Sequence, residues 1–258
     1  MYAEKFRLDG RVAVVTGGAQ GIGLAICEAL AEHGAHVVVA DREGAAAEAA
    51  RDALMARGWS AEAHALDVTR PAEVTALADR LVAAHGRVDV LVANAGIARS
   101  GTPAEEVEDE LWLDVNDVNY NGVFWCDRAF GRHMLAAGRG AIVNIGSMSG
   151  FVVNRPQKQS YYNASKAAVH HLTASLAAEW ADRGVRVNAV APTYIETDMV
   201  RRVAAMEPEM VGAWLRDTPM GRMGQPDEVA SVVHFLACDA SSLMTGTTVT
   251  ADAGFTCW

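Results

Sequence analysis

Tyr162 and Lys166 stand four residues apart in Tyr162-Asn163-Ala164-Ser165-Lys166, so on a helix their side chains are neighbours on one face. That pairing has a chemical use. A phenol titrates near pKa 10 and is a poor base at neutral pH, whereas an adjacent ammonium favours its phenolate. The chain holds 5 Tyr and three Lys (Lys5, Lys158, Lys166). Shuffling that composition would yield about 0.06 such pairs, so a surface tyrosine that merely sits beside a lysine is the weaker explanation. Ser147 lies 15 residues before Tyr162, at the end of a strand-like run in Asn144-Ile145-Gly146-Ser147. A hydroxyl there can donate to a substrate oxygen while Tyr162 gives or takes that oxygen's proton. Ser149 and Ser160 are rival serines, further from the strand end. Asn119 is polar amid apolar neighbours, which suits either a water anchor or the partner of a distorted helical turn.

A second constellation lies near the N-terminus. Thr16-Gly17-Gly18-Ala19-Gln20-Gly21-Ile22-Gly23 follows an apolar run and opens an amphipathic one. Glycines in such a turn let the backbone approach a pyrophosphate, and the helix behind it offers N–H groups and a positive dipole end. Gly17, Gln20, Gly21, Ile22 and Gly23 are the expected contacts. A glycine-rich turn alone is weak; its place between strand and helix strengthens it. Asp41 closes the next apolar run, 18 residues after Gly23, where a carboxylate would bond the adenosine ribose hydroxyls and repel a 2′-phosphate. NAD is therefore expected rather than NADP, with Arg42 as the one nearby group that argues otherwise. Asp67 and Val68 end a third strand region and are expected at the adenine edge. Asn94-Ala95-Gly96 ends a fourth, where small residues bring backbone to the cofactor ribose. A cationic nicotinamide beside Tyr162 would add to the preference for phenolate.

The elements that must position these groups alternate regularly. Val12–Thr16, Val37–Ala40, Val88–Val92, Ala141–Ile145 and Val185–Val190 read as strands buried on both faces. Between them Leu24–Glu32, Ala45–Arg57, Ala72–Ala84, Leu111–Ala137 and Ala164–Ala181 have helical spacing and composition. Strand alternating with helix implies right-handed crossovers and a parallel sheet covered on both faces. Gly34, Gly58, Gly86, Gly138 and Gly184 sit where helices should end, and Pro71 and Pro226 where helices should begin. The least regular stretch, 192–226, carries Tyr194, Met199, Met206, Met210, Trp214, Met220 and Met223. Following a strand end, it is expected to be a lid over the substrate, the alternative being a surface helical pair packed on the core.

Composition narrows the partners. The formal net charge of −10 over 258 residues argues against nucleic acid and anionic membrane surfaces, which call for clustered Lys and Arg. Four cysteines (Cys27, Cys126, Cys238, Cys257) form no C-x-x-C, so reduced thiols and a cytoplasmic location are expected. Residues 1–9 lack an apolar leader segment, and no apolar run approaches membrane-spanning length. No H-E-x-x-H or similar spacing marks the eight histidines, and His170 and His171 read as packing residues. No metal ligands are expected.

The turn Thr16–Gly23, Asn94-Ala95-Gly96, Asn119, Ser147 and Tyr162 with Lys166 follow the order and spacing of the motifs of the short-chain dehydrogenase/reductase family. The chain resembles that family over essentially its whole length. The resemblance implies an α/β fold: one Rossmann-type doubly wound domain over 1–258, with a seven-stranded parallel sheet and helices on both faces. It implies Tyr162 as general acid/base, Ser147 polarising the substrate oxygen, and Lys166 lowering the Tyr162 pKa while holding the nicotinamide ribose. Asn119 would hold a water that relays protons. Asn188 to Thr197 resembles a further family segment, which places Pro192 and Ile195 near the cofactor and Thr197 on its carboxamide. Thr193 stands where the family usually has glycine, and Ala93 where it usually has asparagine.

Within the family, Gly146-Ser147-Met148-Ser149-Gly150, Val153-Asn154-Arg155-Pro156-Gln157 and the terminal Trp258 resemble sugar-alcohol dehydrogenases. Ser149 and Asn154 would then bond neighbouring substrate hydroxyls, and the expected reaction is oxidation of a polyol such as galactitol to a ketose. The other readings are a 3-oxoacyl thioester reductase, disfavoured by Asp41 and the acidic charge, and a dinucleotide-binding relative without catalysis, disfavoured by the intact Tyr162, Lys166 and Ser147. Val118, Phe124, Trp125 and Phe130, with Leu172, Leu176 and Trp180, exceed what one buried helix stripe needs. With the resemblance, they imply a homotetramer.

Overall fold

A computed structural model describes residues 1–257; Trp258, one of the sequence's points of likeness to sugar-alcohol dehydrogenases, lies outside them. Seven strands form one sheet: β1 (Val12–Thr16), β2 (His36–Asp41), β3 (Ala61–Ala65), β4 (Val90–Ala93), β5 (Gly140–Ile145), β6 (Val185–Pro192) and β7 (Thr248–Ala251). Their order is β3-β2-β1-β4-β5-β6-β7 and every pairing is parallel. The order reverses between β1 and β4, and a crevice at the carboxyl ends of such strands is where open α/β sheets take ligands.

Because successive strand residues face opposite sides, each central strand feeds two cores. Ala13, Val15, Val37, Val39, Val90 and Val92 enter one, beneath α1 (Gly21–Glu32), α2 (Gly44–Ala56) and α9 (Pro226–Ala237). Val12, Val14, Val38, Ala40 and Leu91 enter the other, with α3 (Pro71–His85), α5 (Gly122–Ala137) and α6 (Ser160–Trp180). In the first layer Ile26 and Leu30 of α1 join Val229, Val233 and Leu236 of α9, so the first and last of these helices share one apolar seam.

The expected punctuation holds. Gly34, Gly58, Gly86, Gly138 and Gly184 all have φ between 67° and 96°, and Pro71 and Pro226 each open a helix. Two expectations need correction. Leu111–Ala137 is not one helix: α4 (Asp109–Asn116) and α5 are separated by a π turn over Asp117–Asn121 that contains Asn119. The five strands legible as apolar runs are joined by β3 and β7, whose residues are only partly buried. Segment 192–226 holds two short helices, α7 (Asp198–Met206) and α8 (Pro208–Asp217). Among the described residues no helix is long and apolar enough to cross a membrane. Cys27, Cys126, Cys238 and Cys257 are all free thiols.

Candidate active site

The turn after β1 is shaped by its glycines. Gly17 has φ 62°, and a Cβ there would lie 2.9 Å from Ala95 Cα. One on Gly23 would meet the Gly17 carbonyl oxygen at 2.0 Å, far inside contact distance. Asn94 fixes the same turn from β4 by donating its side-chain amide to Thr16 and Gly17 carbonyls, both at 2.9 Å. No side chain caps α1 and no acidic residue occupies its first turn, so the positive end of the helix faces the crevice. Asp41 Oδ2 accepts from Ala19 N–H at 3.2 Å and Oδ1 from Glu43 N–H at 3.1 Å. The carboxylate is thereby fixed beside the turn.

A groove of about 520 Å³ runs from this turn across the strand ends, within the size range of small-molecule sites. Of the residues expected to hold a dinucleotide, Gly17, Gln20, Gly21, Ile22, Gly23, Asp41, Asp67, Val68, Asn94, Ala95, Gly96, Tyr162, Lys166, Pro192 and Thr197 all line it. Ile195 does not; its side chain is buried in the first core, and its carbonyl accepts from Thr197 N–H at 2.7 Å. Thr193, the residue in place of glycine, also lines the groove, with a buried hydroxyl that has no protein partner. Arg42 lines it too, with its guanidinium 3.5 Å from Glu43 and largely exposed. The tight turn, the open helix end and the carboxylate fit an adenine dinucleotide.

At the other end of the groove stand Ser147, Tyr162 and Lys166. The Lys166 ammonium lies 5.9 Å from the centre of the Tyr162 ring and donates to the Ile145 carbonyl at 2.9 Å. Burial pushes Lys166 down to about 8. Burial also pushes the Tyr162 phenol above its ordinary value; the Ser147 hydroxyl opposes that shift and Tyr194 adds to it. The protein's own surroundings therefore favour the neutral phenol, and the Lys166 ammonium is a cationic group placed to oppose this.

Asn119 does not line the groove. It is fully buried, with Oδ1 accepting from Ile97 N–H at 2.8 Å and Nδ2 donating to Ile97 O at 2.9 Å and to Ser165 Oγ at 3.2 Å. The π turn thus aims Asn119 at the loop after β4. Gly96 lies between it and the ammonium: a Cβ there would be 3.2 Å from Asn119 Oδ1 and 3.5 Å from Lys166 Nζ.

Ser149 and Asn154 also lie behind the groove, 6% and 3% exposed, inside a polar belt. Ser147 Oγ donates to Ser149 Oγ at 3.1 Å, and Gln159 reaches Ser149, Asn154 and Asn163. Asn154 and Gln157 both donate to the Tyr194 hydroxyl, at 3.0 and 2.9 Å. Trp214 Nε1 donates to Gln157 at 3.0 Å while its ring stacks on Tyr194 at 4.0 Å. The belt ties the segment after β5 to α8. Sequence reasoning did not single out Gln159, nor the polar use of Gln157, Tyr194 and Trp214, which meet from separate segments. His170 packs under the serine loop, its Nε2 accepting from Ser147 N–H at 3.4 Å. Burial, with the nearby Lys166, pushes this imidazole down to about 4, which leaves it neutral.

A doubly wound parallel sheet with a glycine turn at its switch point, and a Tyr–Lys pair across the same groove, defines a dinucleotide-dependent oxidoreductase. The family model described as enoyl-(acyl carrier protein) reductase matches residues 17–256. A galactitol 2-dehydrogenase of Rhizobium johnstonii is 60% identical over 257 residues, covering 100% of this chain and 99% of that one. An L-tagatose-forming galactitol 2-dehydrogenase of Cereibacter sphaeroides is 50% identical, with the same coverage. The crystal structure of gox2181 superposes with a TM-score of 0.98 at 55% identity, covering 100% of both chains. The chain belongs to the short-chain dehydrogenase/reductase family. Its cofactor is a nicotinamide dinucleotide, NAD(P).

Proposed function

We propose that this chain is an NAD-dependent polyol dehydrogenase that oxidises a secondary alcohol of a sugar alcohol, galactitol in the first instance, to the ketose. The observation that carries this reading is the meeting of Ser147, Tyr162 and Lys166 in the groove that begins at the glycine turn. Similarity over the full length to two galactitol 2-dehydrogenases, at 60% and 50% identity, supports the substrate, and their names support C2 as the carbon oxidised.

Bound dinucleotide supplies the acceptor for the hydride that leaves the carbinol carbon. The protein's own groups manage the proton. Tyr162, as phenolate, takes it from the substrate hydroxyl, and Ser147 Oγ–H donates to the same oxygen as it becomes a carbonyl. Lys166 stabilises the phenolate through its charge and holds the nicotinamide ribose. Asn119 orders the Ile97 loop and anchors the water through which the proton leaves. Ser149 and Asn154, expected to bond substrate hydroxyls, instead lie behind the groove, where they hold the serine loop and the Tyr194 wall through the polar belt. Segment 192–226 acts as the lid, with Thr197 and Met199 already on the groove wall.

Asp41 favours NAD: its carboxylate is fixed at the turn, where it repels a 2′-phosphate. Solved structures among the family matches hold NADP, and Arg42, beside Asp41 on the groove wall, is suited to it. Purified protein with NAD and a panel of alditols should produce NADH absorbance with galactitol among the best substrates; no turnover on any alditol or vicinal diol would refute the substrate. Paired titrations should show NAD binding more tightly than NADP, and the reverse would refute the cofactor assignment. The family model's description favours a thioester substrate as a second reading, against which stand Asp41 and the net charge of −10. Turnover of an acyl thioester with NADPH in preference to galactitol with NAD would establish it. We also assign a homotetramer and a cytoplasmic location, the latter consistent with four free thiols.

A further inference from the structure

Far from the groove, four side chains of the sheet's outer edge converge. His36 opens β2, Glu62 and His64 lie on β3, and His85 ends α3. Register places Glu62 beside Val38 and His64 beside Ala40, so His36, Glu62 and His64 share the face that α3 covers. Glu62 Oε1 is the common centre: His85 Nε2 lies 3.1 Å from it, His64 Nε2 3.5 Å and His36 Nε2 3.8 Å. One donor atom each from His36, Glu62 and His85 falls within 4.8 Å of the others. We propose that His36, Glu62 and His85, with His64 alongside, form a binding site for a divalent transition-metal cation of the zinc type, which clamps β2, β3 and α3 together.

Three features distinguish the cluster from an ordinary surface ion pair. Ligands held about 2.0–2.1 Å from a tetrahedral Zn²⁺ lie about 3.3 Å from one another, close to the 3.1, 3.5 and 3.8 Å that separate Glu62 Oε1 from the three imidazoles. His36 Nε2 and His64 Nε2 are buried, have no hydrogen-bond partner, and lie 3.8 and 3.5 Å from Glu62 Oε1, so two ring nitrogens beside the carboxylate are free to ligate. The other ring nitrogen of His36 bonds Ser60 Oγ at 2.7 Å, the outer-sphere contact that orients a ligating imidazole and fixes its tautomer. Imidazole and carboxylate together suit zinc and its neighbours. The site is structural rather than catalytic, because His36 and the groove-facing Asp41 stand at opposite ends of β2, about 16 Å apart along an extended strand.

Tag-free protein stripped of metal, titrated with Zn²⁺ near neutral pH by calorimetry, should bind one equivalent with micromolar or tighter affinity and gain in melting temperature. Co²⁺ in its place should give the visible absorption of a tetrahedral nitrogen- and oxygen-ligated ion. Glu62→Gln and His85→Gln should each weaken binding by more than about tenfold, the loss that even an outer-sphere partner causes. His133→Gln, at an exposed pair with Asp79, should leave binding unchanged. Should Glu62→Gln fold poorly, as judged by circular dichroism in EDTA, His64→Gln and His85→Gln carry the comparison. Absence of saturable Zn²⁺ binding, or binding that survives both ligand variants, overturns the proposal. Turnover by the stripped protein should match that of the loaded one, so this outcome is independent of the substrate assignment.

Discussion

At the scale of single residues, the site sets a half-buried phenol and a buried ammonium against each other. Burial raises the Tyr162 phenol and lowers the Lys166 ammonium, so both lean toward their neutral forms, yet the chemistry needs them charged together. Tyr162→Phe should leave dinucleotide binding intact in a fluorescence titration while kcat falls by about 10²–10⁴, the usual worth of a positioned acid/base. Lys166 shows what this arrangement costs. Its folded-state value of about 8 lies below the ordinary 10.5, so the unfolded chain binds more protons between those values and stability rises with pH across that window. Below pH 8 the penalty is present in full, about 3 kcal/mol as an order of magnitude. Lys166→Met should therefore abolish turnover yet raise the melting temperature by several degrees at pH 7, less the loss of the bond to Ile145, and the gain should shrink as pH rises past 8. A melting temperature unchanged or lowered at pH 7 would contradict this account.

Elements show where the sequence could be read and where it could not. Five strands were legible because Val, Ile and Ala fill them on both faces. Ala61–Ala65 reads Ala-Glu-Ala-His-Ala and lies at the sheet edge with no fully buried residue, so no apolar run announced it. The glycine turn, Asp41 and the Tyr–Lys pair were visible because each lies within a few residues of sequence. The belt of Gln157, Gln159, Tyr194 and Trp214 was not, because its members come from separate segments. The π turn at Asp117–Asn121 carries neither Gly nor Pro, leaving only the oddly polar Asn119 as its trace. Gly23→Ala tests the turn: with 2.0 Å between the new Cβ and the Gly17 oxygen, it should open the loop and raise the dinucleotide Kd by at least about tenfold. Asp127 tests the packing of α5 on β5. It is fully buried, receives Asn144 Nδ2 at 3.0 Å and leaves Oδ1 unpartnered. Burial pushes its carboxyl to about 8, with Asn144 opposing. The folded state then binds more protons between the ordinary 3.8 and about 8, so this group's contribution is lost as pH rises through that range. Asp127→Asn should flatten the decline, and melting curves at pH 5 and 8 should show the larger gain at pH 8.

For the whole molecule, the apolar excess of the long helices is smaller than their sequences suggest. Phe130, Leu176 and Trp180 belong to the chain's own core, while Phe124, Trp125 and Leu172 are only partly buried and Trp112 and Leu113 are 46% and 56% exposed. That residual patch is what a subunit interface on these helices would cover, and light scattering should return about four times the 27.4 kDa chain mass; a monomer would refute it. The seam between α1 and α9 bears on how such a chain is made. A ribosome releases Ile26 and Leu30 roughly two hundred residues before Val229, Val233 and Leu236 emerge to cover them. For nearly the entire course of synthesis the first helix carries a sticky flank with no native mate, an invitation to chaperones or to aggregation. A stop codon ahead of residue 226 would make that wait permanent, so C-terminal truncations should collect in inclusion bodies even though every group proposed for chemistry has already been translated.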